Sequence, residues 1–313
     1  MAPPFIMQTR REFEKLLAAS TPGLIERIRT IIERSERAFT KKKRGEASSF
    51  LWEHTTAVAS LAHKLATAGK ADVTAAVLGA LFHDAGKFAG GTYHHDDEPE
   101  EKTAAEVARG VMDEFRVPAA TGRRVLRALA ALYSDRARGN ETAAIIHDAD
   151  FLAKAGTLGV AEFFIKATLR GRTLLDAVRN SLSKELTYAA ALPVNMRTKA
   201  GRRLAERKAR TTRSFFRNLL AEIRESQGLD LRVVRAAVPL PGRRPLDVRL
   251  VMSRTCDTCG GVKWRPVFAT ERGVKCETLE ARVSCGRCGN EFRVSFCVPE
   301  IASAASRKSP ARR

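Results

Sequence analysis

The chain has 313 residues, of which 55 are Lys or Arg and 35 are Asp or Glu, so its formal net charge at pH 7 is +20. Its 44% hydrophobic content is that of a globular protein and excludes a largely disordered chain. No apolar stretch approaches the ~18 residues of a membrane-spanning helix, and the amino terminus, charged from Arg10, does not resemble a secretory signal. We therefore expect a cytoplasmic protein without a membrane partner.

Residues 9–225 have the spacing of apolar side chains that predicts helices almost throughout. The first predicted helix begins after the capping sequence Ser20-Thr21-Pro22 and ends at the basic run Lys41 to Arg44. Further helices are predicted over residues 50–68, 71–85, 100–116, 118–134, 142–168, 173–190 and 197–226. Glycine or proline lies at several of the breaks, Pro193 among them.

Beyond Gly228 the pattern changes to short valine-rich segments. LRVVRAAV and DVRLVM, separated by the proline-containing PLPGRRP, predict strands and turns. All six cysteines lie in this part of the chain, between Cys256 and Cys297. The final residues, ASAASRKSPARR, are small, polar and basic, which predicts disorder. We predict a mainly α fold, in which a large helical domain is followed by a small β module.

Histidine and aspartate recur together in the helical part. They lie in the phrases LWEHT around His54, LFHDAGK around His83 and Asp84, TYHHDDE around His94 and His95, and IIHDADFL around Asp150. Divalent Mn, Fe, Co, Ni and Zn accept such a mixed imidazole and carboxylate set. A bound metal lowers the pKa of a coordinated water and makes hydroxide available near neutral pH. Lys87, one turn beyond Asp84, is placed to contact a phosphate oxygen.

The order H…HD…D, formed by His54, His83-Asp84 and Asp150, resembles the HD-domain metal-dependent phosphohydrolase superfamily. HDAGK is similar to the family's HD-small-Gly-Lys phrase, DADFL is similar to its closing helix, and the resemblance covers residues 48–170. It implies an all-helical HD-domain bundle in which His54, His83, Asp84 and Asp150 bind a divalent metal (Mn, Mg, Co, Ni, Fe or Zn). We choose Asp150 over Asp148, although the following Phe151 departs from the family's basic or polar residue.

The resemblance also assigns roles around the metal. Asp84 is expected to position or deprotonate the attacking water, and Lys87 to contact the phosphate. Some members add a histidine for a second metal where His94 and His95 lie, and we prefer His95. The Glu-Asp pair that some nucleotide-degrading members place after HD is absent here, which disfavours that type.

Two histidines lie outside this pattern. His63 is nine residues from His54, on the opposite face of the same helix, and is expected to be a surface or packing residue. His147 shares a helix face with Asp150, so either a supporting role beside the metal or a place in the core is open to it. The acidic run from Asp96 to Glu101 favours a solvated loop over a lining of the metal site.

Two CxxC pairs, Cys256 with Cys259 and Cys285 with Cys288, have the spacing of a tetrahedral Cys₄ zinc site. Neighbouring glycines allow each pair to turn around the metal. The module looks like a zinc ribbon, and its closed site predicts a structural zinc. Disulfides are the competing interpretation, which an intracellular setting disfavours. Cys276 and Cys297 are left over as unpaired thiols.

The positive charge is concentrated between Arg197 and Arg217, with nine basic residues and one acidic residue, Glu206. A solvated basic helix and a surface for a phosphate backbone both fit this stretch. The adjoining ribbon favours a polyanion partner.

We predict five segments: a basic helical extension (1–47), an HD phosphohydrolase domain (48–190), a basic helical segment (191–228), a ribbon-like module (229–300) and a disordered tail (301–313). The predicted function is hydrolysis of phosphomonoester or phosphodiester bonds of a nucleotide-type substrate. The alternatives are an RNA or DNA phosphodiesterase and a non-catalytic adaptor that binds nucleic acid or protein through its ribbon. The oligomeric state stays open.

Overall fold

The fold is that of a computed structural model. It describes Lys15 and residues 22–41, 50–88, 100–132, 139–240, 245–272 and 277–297. The chain divides into two compact units, residues 1–153 with 197–201 and residues 154–196 with 202–313. Within the described ranges, no helix combines the length and the apolar character needed to cross a bilayer.

The first unit is helical. Its helices are α1 (Leu24–Lys41), α2 (Phe50–Gly69), α3 (Val73–Phe82), α4 (Glu100–Glu114), α5 (Ala119–Ala131) and α6 (Glu141–Ala153). Helix α3 is central and packs against α2, α4, α5 and α6. Every residue from Ala75 to Phe82 is buried, as expected of a helix that is apolar on all sides. The core of this unit therefore surrounds α3.

The second unit contains α7 (Gly156–Leu169), α8 (Leu174–Asn195) and most of α9 (Lys199–Gln227), followed by five antiparallel strands. Strands β1 (Leu231–Val238) and β2 (Leu246–Ser253) form a hairpin, and β3 (Trp264–Arg272), β4 (Glu277–Cys285) and β5 (Glu291–Cys297) form a three-stranded sheet in that order. The fold class, mainly α with a small β module, is confirmed.

The β1–β2 hairpin contributes to two apolar cores of the second unit, because its side chains alternate between two faces. On one face Val248 and Leu250 pack with Leu279 and Phe296 of the three-stranded sheet. The opposite face, which includes Val251, packs against helices α7, α8 and α9. The hairpin therefore lies between a helical layer and a second sheet.

Helix α8 also makes polar contacts with the hairpin. The Ser183 hydroxyl accepts a hydrogen bond from the Val251 N–H at 2.8 Å, and the Thr187 hydroxyl accepts one from the Arg249 N–H at 2.9 Å. Residues four apart on a helix share a face, and residues two apart on a strand point their N–H groups the same way. These spacings allow α8 to run along β2.

Most predicted elements are present, with two exceptions. The helix predicted over 142–168 is wrong, because α6 ends at Ala153 and α7 begins at Gly156, whose φ of +78° is the left-handed conformation that glycine tolerates. Pro193 does not break its helix, because it lies in the last turn of α8 and removes only one intrahelical hydrogen bond there. The predicted tail (301–313) lies outside the described residues, as does most of the amino-terminal extension.

The extent of the HD domain, residues 48–190, stays a prediction. In the structure α7 and α8 are grouped with the strands in the second unit. The physical reason is their packing, since Val178 and Leu182 of α8 share a core with Leu231 and Val251 of the hairpin.

Candidate metal centre

Three helices of the first unit bring together the histidines and aspartates of the predicted site. His54 lies within α2, Asp150 lies within α6, and His83 and Asp84 directly follow α3. Helices α2 and α6 both pack on α3 and on each other, which places residues 96 positions apart side by side. All four side chains are buried. Packing of the apolar helices, rather than sequence proximity, thus builds the cluster.

The polar atoms of the cluster are close to one another. His54 Nε2 lies 3.0 Å from Asp150 Oδ1 and 3.8 Å from Asp84 Oδ2. His83 Nε2 lies 3.5 Å from Asp84 Oδ2 and 3.8 Å from Asp150 Oδ1. The two imidazole rings are 5.5 Å apart between centroids and tilted by 55°. Both Nε2 atoms therefore face the two carboxylates.

His83 has a fixed orientation. Its Nδ1–H donates a hydrogen bond of 2.7 Å to the carbonyl oxygen of Ala80, which leaves Nε2 as the free ring nitrogen. That Nε2 is buried and has no hydrogen-bond partner among the described residues. Burial lowers the pKa of His83, but the negative charges of Asp84 and Asp150 outweigh burial and hold the pKa above its usual value.

Lys87, which the sequence predicts to contact phosphate, forms an ion pair with Asp84 in the structure. Its Nζ lies 2.8 Å from Asp84 Oδ2, and the turn is closed by a hydrogen bond from the Lys87 N–H to the Asp84 carbonyl. Burial raises the pKa of Asp84, but the positive charges of His83 and Lys87 outweigh burial and hold the pKa well below its usual range. Asp84 is therefore a carboxylate at neutral pH.

The donor set fits a divalent cation. One potential ligand atom each from His54, His83 and Asp150 lies within 4.8 Å of the other two. Neighbouring ligands about 2.1 Å from one ion stand about 3.0–3.4 Å apart, close to the 3.0–3.8 Å distances observed here. A buried imidazole nitrogen without a partner is costly, and a metal ion would satisfy it. Asp84 is not one of these three residues, but its Oδ2 lies 3.5 Å from His83 Nε2 and 3.8 Å from His54 Nε2.

The family model of the HD domain matches residues 51–155. Residues 51–155 are an HD domain. All four residues assigned to the metal by resemblance lie inside this match. The HD domain and its donor set together support a metal-dependent hydrolase.

Several solved structures of other proteins match this chain. An HD superfamily hydrolase from an uncultured Thermotogales bacterium is 22% identical, with a TM-score of 0.42 over 62% of this chain and 91% of that one. YpgQ of Bacillus subtilis, in complex with ADP, is 21% identical, and the match covers 64% of this chain and 96% of YpgQ with a TM-score of 0.45. An HD-superfamily hydrolase from Bacillus thuringiensis is 21% identical, and the match covers 64% of this chain and 98% of that protein with a TM-score of 0.46. A comparison with curated proteins gave no match.

The two aspartates of the HD domain's DAD phrase have different surroundings. Asp150 faces His54, as chosen from the sequence, whereas the fully buried Asp148 accepts hydrogen bonds from the N–H groups of Arg197 and Thr198 at 2.9 and 2.8 Å. Sequence analysis missed this role of Asp148. The available signal was Thr198, a good capping residue at the second position of the predicted helix 197–226 and directly before the observed start of α9 at Lys199.

Two further histidines of the HD domain, His147 and His63, are not part of the group of potential metal ligands among the described residues. His147 Nδ1 lies 3.1 Å from Asp148 Oδ1, its ring stacks on Phe151 at 4.4 Å, and its pKa is lowered, mainly by burial. This resolves its position: it contacts the capping aspartate and the core. His63 is half-buried and belongs to no group of potential ligands among the described residues. His94, His95 and the acidic run lie outside the described residues.

The second unit holds a separate cluster of four cysteines. Cys256 Sγ lies 3.7 Å from Cys288 Sγ, and Cys259 Sγ lies 3.6 Å from Cys285 Sγ, with all four atoms within 4.8 Å of one another. Four sulfurs about 2.3 Å from one zinc stand about 3.8 Å apart in a tetrahedron. The cysteines are free thiols, which argues against the disulfide interpretation. The side chain of Cys297 and the whole of Cys276 lie outside the described residues.

Backbone N–H groups favour the thiolate form in this cluster. Burial raises the pKa of the Cys256 thiol, but hydrogen bonds from the N–H groups of Thr258 and Cys259 outweigh it and lower the pKa to about 6. Hydrogen bonds from the N–H groups of Arg287 and Cys288 likewise lower the pKa of Cys285. The Asn290 N–H lowers the pKa of the Cys288 thiol, but the neighbouring Cys259 thiol and burial outweigh it and raise that pKa to about 12. Thiolates are the form that binds metal, so the first cysteine of each pair is the one prepared for a cation.

Proposed function

We propose that the HD domain hydrolyses phosphomonoester or phosphodiester bonds of a nucleotide-type substrate. The observation that supports this most directly is His83 Nε2, a buried ring nitrogen that faces two carboxylates and has no hydrogen-bond partner in the part of the chain that the structure describes. Such an arrangement is costly unless a cation is present. Divalent cations at such sites commonly activate water against phosphate esters.

The proposed ligands are His54, His83, Asp84 and Asp150. A bound divalent metal supplies Lewis acidity and lowers the pKa of water in the site. Asp84, held as a carboxylate by Lys87, accepts a hydrogen bond from the attacking water and orients it. Lys87 lies beside the reaction centre, where its ammonium group offsets negative charge on the phosphate oxygens. His95 stays a proposed ligand of a second metal.

Turnover of chromogenic phosphomonoesters and phosphodiesters, and of a panel of nucleotides, tests this proposal. The protein is assayed with Mn, Mg, Co, Ni, Fe and Zn. We expect metal-dependent turnover that is lost in His54→Ala and retained in the matched control His63→Ala, which changes the same residue type on the same helix. Equal activity of His54→Ala and wild type would contradict the site.

An RNA or DNA phosphodiesterase is the second candidate. The basic stretch between Arg197 and Arg217 favours it, because an extended substrate needs an extended positive surface. Oligonucleotides added to the same panel separate the two candidates. A protein that binds its metal fully and turns over no phosphate ester would instead be the non-catalytic adaptor.

We propose zinc as the metal of the Cys₄ cluster and a structural role for it. Four thiolates close the coordination sphere and leave no position for substrate. Metal analysis by mass spectrometry tests this: we expect one zinc per chain that is lost in Cys256→Ser. Retention of this zinc in Cys256→Ser would contradict the assignment.

A further inference from the structure

The second unit carries a group of arginines that the hydrolase proposal does not use. Arg235 and Arg249 are directly opposite each other on β1 and β2. Their Nη2 atoms both contact Asp247 Oδ2, at 3.0 and 2.9 Å. Like charges directly opposite each other on a sheet are unfavourable, and here one carboxylate serves two guanidinium groups. The pair therefore keeps a net positive charge.

Helix α9 adds to this charge. Burial and the positive charge of Arg249 lower the pKa of Arg213, Asp247 raises it, and Arg235 and Arg210 lower it further. The charges of the hairpin pair therefore act on this residue of α9. In addition, Arg249 Nε is buried and has no hydrogen-bond partner among the described residues. An unsatisfied buried N–H is costly, and an anion bound at the cluster would accept its hydrogen bond.

The charge continues along α9 as an arginine stripe, defined as Arg203, Arg207, Arg210, Arg213 and Arg217. At 100° per residue these positions lie within about 120° of the helix circumference, away from the buried face that holds Ala209 and Phe216. Arg203, Arg207 and Arg210 are exposed and form no ion pair with any residue that the structure describes. Glu206 is the one acidic residue in this stretch of helix.

The length of the stripe distinguishes a polyanion from a single phosphate. From Arg203 to Arg217 the helix rises about 21 Å at 1.5 Å per residue. One strand of a duplex presents a phosphate about every 3.4 Å along its axis, so the stripe spans about six phosphates. The five residues of the stripe are all arginines, whose planar guanidinium groups match the geometry of phosphate oxygens.

We propose that the arginine stripe and the Arg235–Arg249 pair bind the phosphate backbone of double-stranded nucleic acid. This interaction is independent of hydrolysis at the HD domain and holds whether or not the nucleic acid is a substrate. The contacts are to phosphate, so binding is independent of base sequence and strongly dependent on salt.

The test is fluorescence anisotropy of the full-length chain with labelled 20-base-pair DNA, 20-base-pair RNA and a 20-nucleotide single strand, over a salt series. In Arg207→Gln/Arg210→Gln two phosphate contacts are lost. We expect the slope of log K against log salt for duplex DNA to fall in magnitude by about 2, and the affinity at 0.1 M salt to fall about 60-fold. The two duplexes distinguish DNA from RNA.

The matched control is Arg123→Gln/Arg127→Gln, which removes the same charge from two exposed arginines of α5. It should bind duplex like wild type and retain wild-type turnover of a chromogenic ester. Duplex binding is measured without turnover, so failure of this inference is distinct from failure of the hydrolase proposal. Equal weakening in the two variants would show a general charge effect and overturn the proposal. Displacement of duplex by polyglutamate at equal charge concentration would also overturn it, in favour of an acidic protein partner.

Discussion

Asp148 Oδ2 accepts hydrogen bonds from both the backbone N–H and the hydroxyl of Thr198, each at 2.8 Å. The Thr198 hydroxyl in turn accepts a hydrogen bond of 2.9 Å from the N–H of Gly201, so it caps the first turn of α9. The other oxygen, Oδ1, accepts the N–H of Arg197 at 2.9 Å and lies 3.1 Å from His147 Nδ1. A single buried carboxylate thus joins α6 to the start of α9.

Asp148→Ala should destabilise the protein by about 3 kcal/mol or more, because it leaves several buried donors without an acceptor. Asp148→Asn keeps one acceptor oxygen and should cost less. Urea unfolding monitored by circular dichroism measures both. The control is Asp113→Ala at an exposed position of α4, where a change within about 0.5 kcal/mol is expected. Equal stability of Asp148→Ala and Asp113→Ala would refute the anchoring role.

Gly201→Ala should destabilise the protein, although alanine is the better helix former by about 1 kcal/mol. A Cβ at this position would overlap Asp148 Oδ2 and would lie 2.7 Å from the Thr198 hydroxyl. Gly110→Ala is the matched control, because nothing lies within 4 Å of its Cβ position in α4. It should stabilise by about 1 kcal/mol. The opposite signs of the two changes in unfolding free energy are the result to check.

Asp72 should make stability depend on pH in the acid range. Burial raises its pKa, but hydrogen bonds from the Ala75 N–H and Arg124 outweigh this and lower it. A carboxyl with a lowered folded-state pKa stabilises the fold above its unfolded-state pKa of about 4, and this contribution is lost as pH falls through the folded-state value. Asp72→Asn keeps a capping side chain, so the difference from wild type should be about 0.5 kcal/mol at pH 7 and should vanish once the pH is below the folded-state pKa of Asp72. A difference independent of pH would show that the charge does not contribute.

The Cys₄ cluster should hold its metal independently of the HD domain. Cys285→Ser replaces a buried thiolate, and we expect loss of the ribbon metal with unchanged binding at His54 and His83. Thr258→Ala alters an exposed side chain in the same turn, keeps the backbone N–H, and should retain both metals. Metal content per chain after dialysis decides between these outcomes. Simultaneous loss of both metals in Cys285→Ser would contradict independent sites.

Removing a hydroxyl from α8 should destabilise the second unit. Ser183→Ala leaves the Val251 N–H without its acceptor, and Thr187→Val does the same to the Arg249 N–H. Each change should lower the free energy of unfolding by about 1–3 kcal/mol. Ser181→Ala removes a hydroxyl that contacts only the exposed Arg172 side chain and should have little effect. Urea unfolding compares the three variants. Identical midpoints would show that water replaces the hydroxyls.

Local sequence signals predicted the parts of the site that depend on local geometry. His83 and Asp84 are adjacent and follow an apolar segment, so any helix there places them at its end beside the core. Lys87 is three residues further on, within reach of Asp84 in a tight turn. The spacing of the cysteine pairs is also local. Each of these features needed only a few consecutive residues.

Features that depend on distant contacts were not accessible in this way. Asp148 and Thr198 are 50 residues apart, and nothing in either phrase reveals that they meet. The choice of Asp150 over Asp148 required the family pattern, since both are aspartates on one short helix. The turn at Gly156 was hidden by apolar residues that continue with helical spacing on both sides of it. The packing of α8 on the hairpin likewise follows from tertiary contacts alone.

The contacts of Ser183 and Thr187 with β2 have a consequence for self-association. An exposed strand edge is a template on which another chain can add a strand, and such addition leads to domain swapping or aggregation. Along β2 the N–H groups of Arg249 and Val251, which an incoming strand would need, are already bound to α8. Helix α8 thus prevents a strand of another chain from pairing with this edge of β2.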